Sequence, residues 1–571
     1  MASIKLLDFG GELPSRSPRL LPDANAVLCE NVWLNEGGLD TYPLPTLIQA
    51  LSASTRYVYR IPETADTTDY ANSTYMEFDD PQTKVIKAPI PNDSFERFYW
   101  AIPGAAPQYS TKARIIAASA AYVLGIPTSA ANMTVTPDAS GVGATEYRAY
   151  CFTWVSAYGE EGPPSPPILA NGKIDDVWNL VLPTITGGES TQRNITLRRV
   201  YRTITGSQGD TNYYLVIELP VATLAYADSI AGTVVTANGL IPSTFWVGPP
   251  ATLQGLINMP NGIVAGFTGR DVYFSEPYRP HSWPVQYSVS VEQPIVGLGV
   301  TGNTLVVLTG GYPYFLSGIH PSVMTQVKHN DLVPCIGAGT IVSAPDGVYY
   351  ASELGLMLAA NGTINMITYN LISKRQWKNA FFPDKLNAVF YKQAYFAMRF
   401  DVAGKGFTLN VNNPKIAIDR ILSPSIVRNI LIDQWTGEPL MIMNSFLYIW
   451  DNVESDGRIA YRWQSKEFHI QRPENLGAMK VYFDAIPANS QSLAVDAWAV
   501  ASLVLLPLDV KAQIKIYADR VLVFTKNVLV TGDLMRLPSG FKASIWQLEV
   551  IGRVRIDSIE VASTVRELES V

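Results

Sequence analysis

Residues 259–284 read MPNGIVAGFTGRDVYFSEPYRPHSWP, and three later segments repeat their pattern: IVGLGVTGNTLVVLTGGYPYFLSG at 295–318, GTIVSAPDGVYYASELGLMLAANG at 339–362 and LNAVFYKQAYFAMRF at 386–400. In each segment an apolar run meets a tight polar turn, and a second apolar or aromatic run follows. The turns lie at Gly269-Arg270, Gly302-Asn303, Asp346-Gly347 and Lys392-Gln393. Glycine and asparagine tolerate the positive φ that a two-residue turn requires, so the segments predict β-hairpins.

The hairpins recur along the chain. A fifth unit, LMIMNSFLYIW, turns at Asn444-Ser445, and the intervals between the second turn residues are 33, 44, 46 and 52. Propeller blades contain four strands and recur about every 40–50 residues. The pattern therefore predicts a β-propeller body, with a succession of unrelated hairpins as the alternative.

The chain is too long for one hydrophobic core, since it has 571 residues. We expect an all-β protein in four parts. Residues 1–125 are N-terminal strands contributing to the propeller body, 126–245 are an inserted fibronectin type III-like β-sandwich, 246–462 are propeller blades, and 463–571 are a C-terminal β-sandwich or jelly-roll-like domain. The Ala-rich segment 111–125 fits a helix or a strand.

The predicted insert contains two long strand patterns. YRAYCFTWVSAYGEEGPPSPP begins at Tyr147 and ends in a Gly- and Pro-rich turn, and ITLRRVYRT alternates in polarity from Ile195. Strands at this spacing favour a β-sandwich of about 100 residues. Arg198, Arg199 and Arg202 form no single basic patch, because alternation splits them between two faces, and we expect them to be solvated.

Composition limits the function classes. Apolar residues make up 47% of the chain, charged residues 16%, and the net charge is −7. Without a basic excess, tight or sequence-specific DNA binding is not expected. Weakly acidic walls would instead let DNA slide past through like-charge repulsion.

Two further features concern cysteines and membrane segments. Cys29, Cys151 and Cys335 lie far apart, so we expect small buried side chains rather than disulfides or a zinc site. No signal peptide is expected at the N-terminus. The most apolar run, AWAVASLVLLPL between Asp496 and Asp509, is shorter than the roughly 20 residues of a membrane helix. No membrane segment is therefore predicted.

The motifs of the sequence assign no catalytic, cofactor-binding or metal-binding residue, and no cofactor is expected. GLGVTG at 297–302 matches GxGxxG, but a strand pattern follows it, whereas a dinucleotide site needs a helix N-terminus there. The four histidines have no ligand spacing; they are His281, His320, His329 and His469. His281 is interpreted as a packing element in a turn.

Four carboxylates near hairpin turns could converge as in a propeller glycosidase: Asp271, Glu276, Asp346 and Glu353. The simpler interpretation is that such a turn carboxylate bonds its own backbone.

Several phrases resemble virion proteins of short-tailed bacteriophages, and the closest role is the tail nozzle, or tail tubular protein B. They are the quoted segments at 259–284 and 295–318, together with PRLLPDANAVLCENVWLNEGGLDTYPLP, YCFTWVSAYGEEGPPSPP, ITLRRVYRT, WQSKEFHIQRPENLGAMKV and LPSGFKASIWQLEVIG. The resemblance implies a propeller body with inserted and appended sandwiches. It also implies a homohexameric ring below the portal and adaptor that channels and gates DNA during ejection.

The resemblance carries no catalytic residue. It implies a virion protein made in the host cytoplasm, with further copies of itself, adaptor and portal proteins, tail fibres or spikes, and translocating DNA as partners. Two alternatives stand beside it: a propeller hydrolase acting on glycans, and a tail module that binds a host glycan or receptor.

Overall fold

The apolar runs of the sequence form short strands, and most neighbouring strands pair antiparallel, although β2 (Ala26–Glu30) and β34 (Ile418–Ile421) pair in parallel. The computed structural model describes residues 3–34, 37–129, 131–204, 212–411, 417–452, 457–484 and 510–569. The chain divides into two compact units, one comprising residues 1–81 with 331–571 and the other residues 82–330.

The first seven strands belong to the first unit: β1 (Ser3–Leu6), β2 (Ala26–Glu30), β3 (Val32–Trp33), β4 (Asp40–Thr41), β5 (Thr46–Ala50), β6 (Tyr57–Pro62) and β7 (Ser73–Phe78). Strands β3 and β4 pair with each other, as do β6 and β7. Strands β1, β2 and β5 instead join strands from the far end of the chain.

The second unit begins with a four-stranded sheet, blade 1: β8 (Lys84–Lys87), β9 (Arg97–Ala101), β10 (Gln108–Thr111) and β11 (Tyr122–Val123). The Ala-rich segment 111–125, which fits either a helix or a strand by sequence, contains one of each. One helical turn, α1 (Lys112–Ile116), follows β10, and β11 comes after it. Thr111 caps the turn, because its side chain accepts a hydrogen bond from the Arg114 amide.

An inserted β-sandwich follows: β12 (Thr134–Pro137), β13 (Thr145–Ser156), β14 (Ile168–Lys173), β15 (Trp178–Val181), β16 (Ile195–Arg202), β17 (Tyr214–Pro220) and β18 (Ala225–Asp228). One sheet has the order β12-β15-β18 and the other β14-β13-β16-β17. Phe152, Trp154 and Trp178 are among the buried side chains between them. This is the fibronectin type III-like insert that the sequence predicts.

Two more blades complete the second unit. Blade 2 contains β19 (Gln254–Asn258), β20 (Val264–Thr268), β21 (Asp271–Phe274) and β22 (Val289–Ser290), and blade 3 contains β23 (Ile295–Thr301), β24 (Thr304–Thr309), β25 (Tyr314–Ser317) and β26 (Thr325–Lys328). One apolar cluster, including Tyr99 and Leu256, joins blades 1 and 2. Another, including Phe274 and Leu305, joins blades 2 and 3.

The chain then returns to the first unit. Blade 4 contains β27 (Val342–Ala344), β28 (Gly347–Ala351), β29 (Leu356–Ala360) and β30 (Thr363–Met366), and blade 5 contains β31 (Leu386–Tyr391), β32 (Ala394–Arg399), β33 (Gly406–Asn410) and β34 (Ile418–Ile421). Blade 6 contains β35 (Val427–Ile432), β36 (Pro439–Met443) and β37 (Phe446–Ile449), and β5 supplies its fourth strand. Tyr349 and Tyr395 pack between blades 4 and 5, and Phe396 and Met441 between blades 5 and 6.

The C-terminal strands form a sandwich with the N-terminal ones: β38 (Tyr461–Ser465), β39 (Phe468–Glu474), β40 (Ala478–Phe483), β41 (Ala512–Ala518), β42 (Val521–Val528), β43 (Met535–Arg536), β44 (Ala543–Gly552) and β45 (Ile556–Ala562). One sheet has the order β1-β45-β40-β43. The other includes β2-β38-β44-β41-β42, and Met479 and Ile559 pack against Trp463 and Leu548 between the sheets. Thus β1 and β2 lie in the sandwich, whereas the sequence places residues 1–125 with the propeller.

Helical structure is limited to short turns. The remaining α-helical turns are α2 (Glu189–Gln192), α3 (Gly232–Val235), α4 (Lys374–Gln376) and α5 (Val565–Glu569). Trp377–Phe381 forms a π turn, and 3-10 turns occur at Pro18–Leu20, Pro260–Gly262, Val285–Tyr287, Pro321–Val323, Ala338–Thr340 and Pro383–Lys385. Among the described residues, no helix has the length and apolar character needed to cross a membrane.

The five predicted hairpin turns are all confirmed. Each joins two paired strands, and positive φ occurs at Gly269 (60°), Gly302 (53°), Gln393 (63°) and Asn444 (53°). Their irregular spacing has a simple cause. In blades 3, 4 and 5 the turn joins the first two strands, but in blades 2 and 6 it joins the second and third. The protein is therefore all-β, with a propeller body, an inserted sandwich and a C-terminal sandwich.

Candidate functional site

The histidines occupy separate structural positions. His281 is buried against Trp246, with 6.0 Å between ring centroids, as expected for a packing element. Burial lowers its pKa to about 3, and the positive charges of Arg97 and Arg279 act in the same direction. The His320 ring bonds to the Ser322 hydroxyl at 2.8 Å and caps a 3-10 turn.

The other two histidines also have local partners. The His329 ring lies 6.5 Å from that of Phe315, and His469 lies 3.4 Å from the Glu467 carboxylate.

Two of the four carboxylates considered for a glycosidase bond to side chains near them in the sheet. Asp271 accepts a hydrogen bond from the Ser290 hydroxyl, and Asp346 accepts one from the Tyr349 hydroxyl. The main-chain N–H of Glu276 donates to Ser282, and Glu353 is exposed. The GxGxxG segment lies on β23 and is followed by β24, so the predicted strand is confirmed.

The three cysteines are free and buried, as predicted. Burial raises the pKa of Cys151 and that of Cys335 to about 12, which disfavours the reactive thiolate. Within the described ranges, no group of three histidine, cysteine or acidic side chains could hold a metal ion. The apolar segment between Asp496 and Asp509 lies outside the described residues.

The expectation of solvated arginines is wrong for two of the three. Arg198 and Arg202 are buried, while Arg199 on the opposite face is partly exposed. Arg202 pairs with the buried Asp228 at 2.9 Å, and the Arg198 guanidinium lies 4.8 Å from the Trp154 ring centroid. The sequence shows the alternation, but only the second sheet of the insert determines which face is covered.

Opposite charges cross the sheet that joins blade 5 to the C-terminal sandwich. We name as the charged row five residues from strands β34, β2, β38, β44 and β41, whose cross-strand register places them on one face: Arg420, Glu30, Arg462, Glu549 and Lys515. Glu549 lies 2.8 Å from Arg462 and 3.3 Å from Lys515. Opposite charges on neighbouring strands stabilise pairing and register.

Glu549 is the most deeply buried member of the row. Burial by itself raises its pKa, but hydrogen bonds from Tyr517 and Arg462, together with the charges of Arg462 and Lys515, outweigh burial and lower it. The carboxylate is therefore held ionised as a structural anchor. At the other end, Glu12 accepts hydrogen bonds from Arg420 at 2.9 Å and from the Cys29 amide at 3.0 Å.

A second carboxylate, Asp419, lies near Glu12 and is completely enclosed. It accepts hydrogen bonds from the Val32 amide at 3.1 Å and the Tyr42 hydroxyl at 3.3 Å. Burial raises the pKa of Asp419 well above its usual value, and the negative charge of Glu12 adds to this effect. The folded structure therefore favours the protonated form of Asp419 more than water does.

The insert is attached to blade 1 by polar contacts. Arg97 of β9 binds Asp93 at 2.9 Å and Glu160 of the insert at 2.7 Å, and all three are buried. Arg193 donates hydrogen bonds to the carbonyls of Leu124 and Gly125. These contacts fix the insert on the blade.

One shallow groove lies along the outer strands of blades 2 and 3. Its volume is about 430 Å3, and its lining includes Ser290, Glu292, Tyr314 and Lys328. Lys328 pairs with Glu292 at 2.6 Å, so the groove neutralises its own charge.

Comparisons with known proteins give only remote likenesses. No family model matches the chain, and no curated protein matches it. A chain from the crystal structure of BBS1N in complex with ARL6DN has a TM-score of 0.27 at 8% identity, over 66% of this chain and 93% of that one.

Two other solved structures are similarly distant. The Neurospora crassa Pan2 WD40 domain has a TM-score of 0.27 at 7% identity, over 65% of this chain and 94% of that one. The N-terminal domain of Nup159 has a TM-score of 0.21 at 10% identity, over 47% and 89%. Such scores carry no argument about function, and the fold rests on the sheets described above.

Proposed function

We propose that this chain is a structural virion protein of a phage tail, a subunit of a ring below the portal and adaptor that channels and gates DNA during ejection. The similarity of its sequence phrases to tail nozzle proteins suggests the role. One structural observation carries the proposal further: blade 5 and the C-terminal sandwich share a continuous sheet through β34, β2 and β38. A channel wall requires such rigid connections between domains, whereas an enzyme requires a site for its substrate.

The use of charge supports the same role. Buried ionic groups such as Glu549 and Asp228 anchor strands to one another. The net charge of −7 is compatible with a wall past which DNA moves without being held. The mechanism is thus steric and electrostatic, and the partners are further copies of the chain, adaptor and portal proteins, fibres or spikes, and DNA bound without sequence specificity.

The test is the mass of the purified full-length chain in solution, alone and mixed with phage capsids that lack tails. We expect rings of about six subunits, or a monomer that assembles only at the capsid tail stub, because closed rings use head-to-tail contacts between identical subunits. A monomer that ignores capsids overturns the proposal. The protein should then be assayed against surface polysaccharides, which tests the hydrolase alternative.

A further inference from the structure

A second groove, in the first unit, contains two arginines that form no ion pair with any residue that the structure describes. We call it the Arg56–Arg428 groove; its volume is about 480 Å3, and its lining includes the acidic Asp79, the polar Asn387 and the apolar Phe400 and Ile426 beside the two arginines. Phe400 and Ile426 are each 38% exposed although both are apolar. The groove thus combines two guanidinium groups with apolar walls.

The two arginines are held close together by the main chain. Arg56 donates hydrogen bonds to the carbonyls of Ala53, Ser54 and Thr55, at 3.2, 2.8 and 3.0 Å. Arg428 donates to the same Ala53 carbonyl. Burial lowers the pKa of Arg428, and the positive charge of Arg56 adds to this effect.

These bonds leave most of the guanidinium donors available. In the part of the chain that the structure describes, all the bonds from both groups go to main-chain carbonyls, and neither group forms an ion pair. A guanidinium has five N–H donors and matches a carboxylate or phosphate in a two-bond geometry. Two guanidinium groups side by side repel each other, and a carboxylate placed between them would relieve that repulsion.

The walls distinguish between kinds of anion. A nucleic acid backbone presents a row of phosphates and favours an extended basic surface. Here the two arginines are flanked by apolar side chains, and Asp79 would repel a second negative charge. A single carboxylate between apolar side chains fits this lining better, with the carboxylate on the arginines and the apolar groups on Phe400 and Ile426.

We propose that the Arg56–Arg428 groove is a docking site for an acidic peptide segment of a protein partner, in which one aspartate or glutamate is flanked by apolar residues. The proposal goes beyond the ring function and does not depend on it. Its basis is charge complementarity between the two arginines and a carboxylate.

The experiment uses the full-length protein and a fluorescein-labelled 12-residue peptide with a central Leu-Asp-Leu between Gly and Ser residues. Fluorescence anisotropy should show saturable binding that weakens with salt. The same peptide with Leu-Asn-Leu should bind at least about tenfold more weakly, because it lacks the charge that pairs with the two guanidinium groups. Equal binding of the two peptides overturns the proposal.

Variants then locate the site. Arg56→Gln and Arg428→Gln should each weaken binding at least about tenfold, while Arg270→Gln, an exposed arginine in a hairpin turn, makes the same charge change and should leave it intact. Asp79→Asn should strengthen binding, because it removes the repulsion but still accepts the Ser54 hydrogen bond. Unaltered binding in both arginine variants contradicts the proposal.

Two further measurements test the proposal if a variant does not fold and test whether other anions bind the groove. If a glutamine variant does not fold, Arg428→Lys and Asp79→Asn decide the matter, since weaker binding in the first and tighter binding in the second are both required. Inorganic phosphate and a short DNA duplex serve as competitors. If either displaces the peptide as effectively as unlabelled Leu-Asp-Leu peptide does, the groove is a phosphate site and the peptide proposal fails.

Discussion

At the scale of single residues, the protein uses buried polar groups to hold its parts together. Asp419 is enclosed without an arginine or lysine partner in the described residues, and its pKa is raised by burial. Asp228 is equally enclosed but forms an ion pair with Arg202. Replacing Asp419 with a neutral side chain should stabilise the fold at high pH, whereas breaking the pair of Arg202 and Asp228 should destabilise it.

The first prediction concerns Asp419→Asn. A carboxyl whose folded-state pKa is raised gives stability that is fully present below the unfolded pKa and is lost as pH rises through the folded value. The loss is about 1.4 kcal/mol per pH unit over that window. Asparagine does not ionise and can still bond to Val32 and Tyr42, so the variant should gain thermal stability over the parent as pH rises from 5 to 8.

Thermal unfolding of the full-length chain across this pH range checks the prediction. Asp384→Asn is the control, because its side chain is 55% exposed, and it should not change the pH profile. A constant difference between Asp419→Asn and the parent at every pH would show that ionisation of Asp419 is irrelevant.

The second prediction concerns the pair of Arg202 and Asp228. Arg202→Leu removes the cation nearest to the buried Asp228 and leaves that carboxylate only the Arg148 guanidinium at 3.9 Å, so the variant should destabilise the insert by about 3 kcal/mol, the lower end of the range for breaking a buried pair. The double variant Arg202→Leu/Asp228→Asn also lacks the charge of the Asp228 carboxylate. It should therefore recover part of the stability that Arg202→Leu loses. Proteolysis of the insert in the full-length chain measures this; additive losses would falsify the coupling.

At the scale of elements, the connections of the insert are as constrained as its core. Gly125 precedes the insert and Gly248 follows it, and a Cβ on Gly125 would lie 2.7 Å from the Gly248 Cα. Gly125 also has a φ of 92°. The entering and leaving chains therefore touch, and this close approach requires the absence of a side chain.

The third prediction compares two glycines. In Gly125→Ala the new residue has an unfavourable positive φ, and its Cβ also collides with Gly248. In Gly104→Ala the φ of 81° is also unfavourable, but no atom lies within 4 Å of the new Cβ. Both substitutions strain the backbone, but only the first adds a collision, which we expect to cost a further 1–3 kcal/mol or so. Hydrogen exchange at the ends of the insert should report faster opening in Gly125→Ala alone. Equal effects would show that the close approach is unimportant.

At the scale of the whole molecule, strands from both ends of the chain share sheets. Strand β1 pairs with β45, β2 with β38 and β34, and β5 with β37. Strands β1 and β2 thus lie in the sheets of the sandwich, whereas β5 lies in blade 6. Long-range closure of this kind ties together regions that are otherwise far apart in sequence.

The fourth prediction follows from this pairing. If a protease site is placed in the exposed turn near Asp66, between β6 and β7, cleavage of the folded chain should leave both fragments in one gel-filtration peak. They should separate only in denaturant, since hydrogen bonds and apolar packing hold the N-terminal fragment in three sheets. Separation in native buffer would contradict the role assigned to these strands. The uncut protein carrying the same site is the control.

The sequence alone determines the local structure of this protein. The hairpins at Gly302 and Lys392 could be predicted because turn conformation depends on the few residues that adopt positive φ. The central strands, such as β24 and β32, could be predicted because their apolar runs are buried on both faces. Catalytic and cofactor motifs are likewise recognised from residues close together in the sequence, so the search for them needed no structure.

Only the tertiary structure decided how distant segments combine. Nothing near β2 or β5 indicates that one would join blade 5 to the sandwich and the other complete blade 6, because pairing partners more than 350 residues away leave no local signal. The burial of Arg198 and Arg202, the raised pKa of Asp419 and the closeness of Arg56 to Arg428 depend on the same long-range packing. The sequence gives the type and charge of each residue. Which groups bury or neutralise that charge depends on the elements that pack around it.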